Sequence, residues 1–267
     1  MAPHLRLRDL NHQTYQELIN TYAKTHERVT VKGFHHHLKA SIVDGLDEGI
    51  IKRDPTRHLV LKGKEPVKKK TKYLSLLELK KLMYRLSLGE SINYDWLILL
   101  ISKTGLRLAE ALGLTPNDFD FQQGRLKVTK TWNYKSTRGG FQPTKNKSSV
   151  RTITIDPILC DQFKRLTANL GNDCPIFIDP QRRTYVSTIN YRLKQLCQQA
   201  GIPIISIHGL RHTHASLLMY DGVSISSVAK RLGHANTITT QTTYLHVVQE
   251  LESKDNQKIM ENMIRLS

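Results

Sequence analysis

The sequence predicts a mostly α-helical protein with one small antiparallel β-sheet, an α+β fold. Three observations lead to this prediction. Through most of the chain, apolar residues recur every three or four positions, which is the helical period. Between residues 125 and 155 the pattern changes to the alternation of apolar and polar residues that is typical of strands. Helix-capping residues, prolines and glycines stand at the ends of most of these segments.

The composition indicates a soluble globular protein. The chain has 267 residues, of which 39% are hydrophobic. No apolar stretch approaches the roughly 20 residues needed to span a bilayer. The first residues lack the apolar segment of a signal peptide, so we expect a cytoplasmic protein that does not act at a membrane. The cysteines are too few and too scattered for a disulfide framework, and we expect Cys160, Cys174 and Cys197 to be reduced.

The charge balance predicts a polyanionic partner. Lys and Arg number 40 against 23 Asp and Glu, which leaves a net charge of +17. Neutralising phosphates releases condensed counterions, so such a chain favours nucleic acid. The charge alone also fits a ribosomal protein or a binder of anionic membranes.

A lysine-rich segment, residues 62–72, divides the chain. We interpret it as a linker that lies along a DNA backbone, with Lys64, Lys68, Lys69, Lys70 and Lys72 as its DNA-binding residues. The predicted domains are then residues 1–65, a basic linker at 66–72, and residues 73–267.

The first domain is predicted to be helical. Its helices cover residues 11–23 and 30–49, and the second contains three successive histidines, residues 35–37. Successive residues on a helix point about 100° apart, so these three side chains cannot converge on one metal ion.

The second domain opens with a capping box, in which Ser75 and Glu78 precede a helix. A buried helix ends at Gly105, and a short helix with Arg107 in its first turn ends at Gly113. Three strands follow, with a polar turn at residues 145–149 between the last two. The predicted strands are 125–132, 139–144 and 150–155; the later helices are 156–170, 187–200, 212–220, 225–232 and 237–244, followed by a helical tail.

Two local patterns indicate candidate functional residues, and each pattern permits a second interpretation. Arg107 adds a guanidinium to a helix N-terminus, which is an anion site, but it also lies within pairing distance of Glu110. His208 and His212 stand four apart, as zinc-binding histidines do. Gly209 stands where a zinc protease has glutamate, so we predict no metal site, and an arginine beside the histidines suits a phosphate oxygen better.

The segment from residue 228 onward also fits a DNA-binding motif. Ala229 and Gly233, followed by a further helix, resemble a helix-turn-helix with residues 239–244 as the recognition helix. On that interpretation the chain would be a non-catalytic regulator, and Tyr244 would be an ordinary interface aromatic.

The order of several motifs along the chain favours a catalytic protein over this regulator. Residues 104–110 (TGLRLAE), 144–147 (TKNK), 208–212 (HGLRH), 232–234 (LGH) and Tyr244 follow one another in a sequence that strongly resembles the tyrosine recombinase (phage integrase) family. The resemblance covers roughly residues 73–250 and is weaker over 5–65.

The resemblance implies a role for each motif residue. Arg107 and Arg211 match the arginines that clamp the phosphate, and Lys145 matches the catalytic lysine, with Lys147 as its alternative. His208 and His234 match positions that support proton transfer and phosphate contact. Tyr244 matches the nucleophile, and Glu110 an acidic residue that braces the first arginine.

The implied activity is site-specific recombination of double-stranded DNA through a 3′-phosphotyrosyl intermediate, by a homotetramer on two duplexes. Two arginines, a lysine, two histidines and a tyrosine supply the needed charges, proton and nucleophile, so we expect no metal, ATP or other cofactor. Accessory DNA-bending and directionality factors are expected partners. A type IB topoisomerase, which shares this chemistry, is the alternative enzyme.

The first domain is short for this family. Residues 1–65 look like part of a helical core-binding domain, which would precede the catalytic domain. We therefore expect the sequence to be the later part of a longer chain.

Overall fold

The computed structural model describes residues 5–6, 9–65, 73–136, 138–179, 181–244 and 260. The chain forms two compact units, Met1–Lys70 and Thr71–Ser267. The predicted linker 66–72, with Lys68, Lys69, Lys70 and Lys72, lies outside the described residues, as does almost all of the predicted helical tail. In the part of the chain that is described, no helix is long and apolar enough to cross a membrane.

The first unit contains helices α1 (His12–Ala23) and α2 (Arg28–Asp47). The side chain of Asn11 caps α1 by accepting the amides of Gln13 and Thr14. Apolar side chains of both helices form the core. The hydroxyl of Tyr15 on α1 is hydrogen-bonded to Nδ1 of His35 on α2, with 3.0 Å between the two atoms. Lys64 is exposed, and its backbone amide donates to the carbonyl of His26 at 2.9 Å.

The second unit is helical around two small sheets, which confirms the predicted fold class. Its helices are α3 (Leu76–Tyr84), α4 (Tyr94–Thr104), α5 (Leu108–Leu112), α6 (Pro157–Leu166), α7 (Val186–Gln199), α8 (Ile207–Tyr220), α9 (Ile225–Leu232) and α10 (Thr237–Thr243).

The prediction of a single sheet was wrong. Strands β1 (Phe119–Asp120), β2 (Arg125–Val128) and β5 (Arg151–Thr154) form one antiparallel sheet in the order β1-β2-β5. Strands β3 (Lys130–Trp132) and β4 (Phe141–Pro143) form a separate hairpin. The predicted strand 125–132 breaks because β3 packs against the end of α5, where a Cβ on Gly113 would lie 2.8 Å from the backbone of Thr131.

Two helix starts also differ from the prediction. Helix α5 begins at Leu108, because the Glu110 carboxylate accepts the amide of Arg107 at 3.0 Å and leaves that arginine extended at the N-cap. Helix α8 begins at Ile207 rather than at residue 212, because Ser206 caps it by accepting the amide of Gly209. Both His208 and Arg211 are therefore on a helix.

Helix α4 forms the centre of the unit and fixes where three helices meet. Its apolar residues are almost all buried, and it ends at Gly105, whose φ of +69° is the left-handed conformation that glycine adopts without strain. A Cβ on Gly105 would lie 2.6 Å from the His214 ring and 2.9 Å from Leu232. This close approach brings α8 and the end of α9 against the end of α4.

Candidate active site

Arg211 is a buried guanidinium on α8, with 2% of its surface exposed. It donates to the carbonyl of Gly105 at 2.7 Å and to that of Leu232 at 2.8 Å. Both carbonyls lie at helix C-termini, where the last turn leaves acceptors without a helical partner. Burial, followed by the charge of Arg107, lowers the pKa of Arg211. The site thus has excess positive charge, which an anion would relieve.

Arg107 converges on the same place from the N-cap of α5. Its guanidinium donates to the carbonyls of Leu232 at 3.4 Å and Gly233 at 3.2 Å. It also forms an ion pair of 2.7 Å with Glu110, while 37% of its side chain stays exposed. The two predicted clamping arginines therefore share one acceptor, the carbonyl of Leu232, and Arg107 keeps an accessible face.

Glu110 lies beneath Arg107 and is bound from its other side by Arg151, the first residue of β5. Arg151 also donates to the carbonyls of Arg231 at 2.6 Å and Ser149 at 2.9 Å. Burial raises the pKa of Glu110, but the hydrogen bonds and charges of the two arginines outweigh burial and hold the pKa below its ordinary value. The bracing role predicted for Glu110 thus has a geometry that joins α5, β5 and α9.

Sequence reasoning missed Arg151. The signal was present, because Arg151 shares the alternating face of Ile153 and Ile155, which are both buried. An arginine on the inward face of a strand requires a buried acceptor.

Tyr244 lies at the C-terminal end of α10, and 2% of its surface is exposed. It packs with apolar residues of α8 and α9, and its hydroxyl lies 3.0 Å from Nδ1 of His212. Burial raises the pKa of Tyr244 to about 12, against an opposing influence from the charge of Arg211. Sequence reasoning placed His212 in the motif 208–212 and in a rejected zinc pair, gave it no role, and missed this contact.

The two predicted site histidines flank the arginines. His208 is exposed, and its ring meets the ring of His212 edge-on with 4.7 Å between the centroids. Partial desolvation, then the charges of Arg211 and Arg107, lower the pKa of His208. His234 follows Gly233 at the end of α9, and its Nδ1 lies 2.7 Å from the hydroxyl of Thr240.

His234 is the more strongly shifted of these two histidines. Burial, followed by the charges of nearby arginines, lowers its pKa to about 4. At neutral pH both imidazoles therefore favour the uncharged form, which donates one hydrogen bond and accepts another.

Lys145 is the outlying member of the predicted set. It is exposed in the loop between β4 and β5, as the sequence predicted, although these two strands belong to different sheets. Among the described residues, the hydrogen bonds that join Arg107, Glu110, Arg151 and Arg211 do not extend to Lys145. The short 3₁₀ helix Lys147–Ser149 follows this loop and leads directly into β5 and Arg151.

The site is built to hold an anion. In the described residues, no group of three His, Cys, Asp or Glu side chains is close enough to share a metal ion. The guanidiniums of Arg107 and Arg211 meet at the carbonyl of Leu232, and the tyrosine hydroxyl contacts the His212 imidazole. The acceptors that bind the guanidiniums are one carboxylate and several carbonyls. Fixed cations of this kind stabilise the charge that develops on a phosphate during its substitution.

Comparison with known proteins identifies the relatives of this chain. The model of the phage integrase family matches residues 72–250, which is about two thirds of the chain. A XerC-like tyrosine recombinase of Caldanaerobacter subterraneus is 28% identical over 250 residues, covering 82% of this chain and 62% of its own. The integrase of Staphylococcus phage L54a is 28% identical over 174 residues, covering 58% of this chain and 48% of its own. The chain thus spans about half to three fifths of the length of these relatives.

Solved structures share the fold. The Tn1549 transposon integrase in complex with transposon right end DNA superposes with a TM-score of 0.72 at 18% identity, covering 94% of this chain and 87% of that one. A lambda integrase dimer bound to a core site superposes with a TM-score of 0.64 at 17% identity, covering 90% and 81%.

Proposed function

The chain belongs to the phage integrase family of tyrosine recombinases, and on that premise we propose that it is a site-specific DNA recombinase that integrates or excises a mobile element. The observation that carries the proposal is the pair of arginines at the end of α9. Arg107 and Arg211 share the carbonyl of Leu232, and the buried guanidinium of Arg211 has two neutral carbonyls as its hydrogen-bond acceptors. A phosphodiester bound between them supplies the missing negative charge.

The proposed reaction begins at Tyr244. Its hydroxyl oxygen attacks the scissile phosphorus, a 3′-phosphotyrosyl bond forms, and the bond from phosphorus to the 5′-oxygen breaks. Lys145 gives its proton to that oxygen as it leaves, because an alkoxide is a poor leaving group. Arg107 and Arg211 stabilise the pentacoordinate phosphate, and the uncharged rings of His208 and His234 donate hydrogen bonds to its oxygens.

Rejoining reverses these steps on a partner strand. The 5′-hydroxyl of that strand attacks the phosphotyrosyl bond, so the bond energy is conserved and ATP is not needed. Because 2% of Tyr244 is exposed in the free chain, we expect DNA binding to open access to its hydroxyl.

The assembly and its surroundings follow from this reaction. Exchange between two duplexes requires four active subunits, so we propose a homotetramer on attachment sites, with accessory bending and directionality factors as further partners. Residues 1–65 would act as a helical core-type DNA-binding domain, 66–72 as a basic linker and 73–267 as the catalytic domain. Lys64 and the linker lysines would contact phosphates. A chain that acts on a host chromosome works in the cytoplasm, at the nucleoid.

The deciding experiment traps the covalent intermediate. The chain is incubated in EDTA with nicked suicide duplexes that span the junctions between its mobile element and the flanking DNA. We expect an adduct that resists denaturation, forms in the presence of the chelator, and carries the label at Tyr244.

Other outcomes select the alternatives. Sequence-specific binding with no adduct indicates the helix-turn-helix regulator. Relaxation of supercoiled plasmid without strand exchange indicates the type IB topoisomerase. An adduct that is lost in EDTA and returns with added Mg²⁺ or Zn²⁺ contradicts the metal-free mechanism.

A further inference from the structure

We propose that His212 is a catalytic residue, the base that takes the proton of the Tyr244 hydroxyl during DNA cleavage. This inference rests on the proposed function and deepens it. The family resemblance implies proton transfer at His208 and His234 and gives His212 no part. In the structure, the imidazole nitrogen bound to the nucleophile belongs to His212, with 3.0 Å between its Nδ1 and the Tyr244 hydroxyl oxygen.

The nucleophile needs such a base. A phenol attacks phosphorus effectively only after it has lost its proton, and burial makes that loss harder for Tyr244. A positioned base that accepts the proton as the new bond forms removes this obstacle. The acceptor must lie within hydrogen-bond distance of the hydroxyl, which the Nδ1 of His212 does.

The His212 ring lies between the rings of Tyr244 and His208. Three rings follow one another, since the His212 centroid lies 4.7 Å from that of His208 and 5.6 Å from that of Tyr244. In the tautomer that carries its proton on Nε2, the Nδ1 of His212 accepts from the hydroxyl. The ionisable groups at the ring include His208 on α8, His234 after α9, and Tyr244.

In the proposed steps each transferred proton has a named donor and a named acceptor. As the bond from the Tyr244 oxygen to phosphorus forms, the hydroxyl proton passes to Nδ1 of His212, and Lys145 protonates the departing 5′-oxygen. In rejoining, the 5′-hydroxyl attacks phosphorus and its proton returns to Lys145. The bond from phosphorus to Tyr244 breaks, and the His212 imidazolium returns its proton to the tyrosine oxygen.

The test measures single-turnover adduct formation on a suicide duplex with a 5′-bridging sulfur, which needs no proton in order to leave. His212→Ala and His212→Asn are compared with the unaltered chain across about two pH units around neutrality. The asparagine side-chain oxygen can replace Nδ1 as a hydrogen-bond acceptor but cannot take the proton.

Three results are expected. Both variants are slower by about 10²–10⁴-fold, the usual range for the loss of a general base. Added imidazole rescues His212→Ala in proportion to its concentration. The rates of both variants increase more steeply with pH than that of the unaltered chain, because hydroxide replaces the missing base. A merely structural histidine would show neither the rescue nor the steeper pH dependence.

Lys145→Ala is the contrasting control, because the sulfur substrate bypasses its loss and imidazole leaves its rate unchanged. Near-normal cleavage by His212→Asn on this substrate would overturn this inference but not the proposed function, because a hydrogen-bond acceptor beside Tyr244 would then suffice for cleavage. An unaltered chain that forms no adduct on any duplex would instead overturn the proposed function, and this inference with it.

Discussion

Glu110 and Arg151 form a buried ion pair at two points. Nη2 of Arg151 lies 2.9 Å from Oε2 of Glu110, and Nη1 lies 3.2 Å from Oε1. The side chains are 5% exposed for the arginine and 1% for the glutamate. The pair joins the start of β5 to α5, and Arg107 binds Oε1 of the same carboxylate. This one carboxylate therefore orients the proposed phosphate clamp and also anchors the strand that follows the Lys145 loop.

Glu110→Gln is expected to destabilise the second unit. Removing one partner of a buried pair leaves a charge without compensation, which typically costs about 3–5 kcal/mol. Urea unfolding measures the loss. Asp161→Asn, which removes the exposed ion pair with Arg165, is the matched control and should leave the unfolding midpoint unchanged. Equal effects of the two substitutions would contradict the role assigned to Glu110.

The same pair makes stability depend on acid. The pKa of Glu110 is lower in the folded chain than its ordinary value of 4.5, so the folded state holds this proton less tightly than the unfolded state. The stabilisation is present above the ordinary value and is lost as pH falls through the folded pKa. Urea midpoints measured from neutral pH down to about pH 3 should therefore fall less for Glu110→Gln than for the unaltered chain. Parallel curves would show that the carboxylate does not carry this dependence.

Tyr244→Phe should bind DNA with unchanged affinity and form no covalent adduct. The ring remains to fill its buried position, and only the hydroxyl that contacts His212 is removed. Gel shift measures binding, and denaturing electrophoresis measures the adduct. A labelled adduct on another tyrosine of this variant would reassign the nucleophile.

Lys145→Ala should be slowed severely on ordinary DNA and largely restored when the leaving 5′-oxygen is replaced by sulfur. A thiolate leaves without a proton, whereas loss of general-acid help typically costs about 10²–10⁴-fold on oxygen. Lys147→Ala, two residues along the same exposed segment, is the matched control and should cleave both substrates normally.

Arg211→Ala distinguishes acid catalysis from phosphate binding. This variant lacks charge stabilisation of the phosphate, so sulfur should not restore its cleavage. Equal defects of Lys145→Ala on both substrates would limit the lysine to a phosphate contact.

Features that depend on a few neighbouring residues could be predicted from the sequence. The capping box of Ser75 and Glu78 forms as expected, and helix α9 has the predicted bounds and ends at Gly233 in the left-handed conformation. The family also follows from the order of local motifs along the chain. The fold class follows from helical periodicity and capping, which need no knowledge of distant residues.

Contacts between distant residues could be decided only by the tertiary structure. The break between β2 and β3 depends on how the chain packs against α5, where the buried residue of β3 is Thr131 and not the position that continues the alternation of Leu126 and Val128. The contact between Glu110 and Arg151 spans 41 residues, and that between His212 and Tyr244 spans 32. No periodicity identifies such partners, because a buried charge or hydroxyl is stabilised by whichever group the fold brings within hydrogen-bond distance.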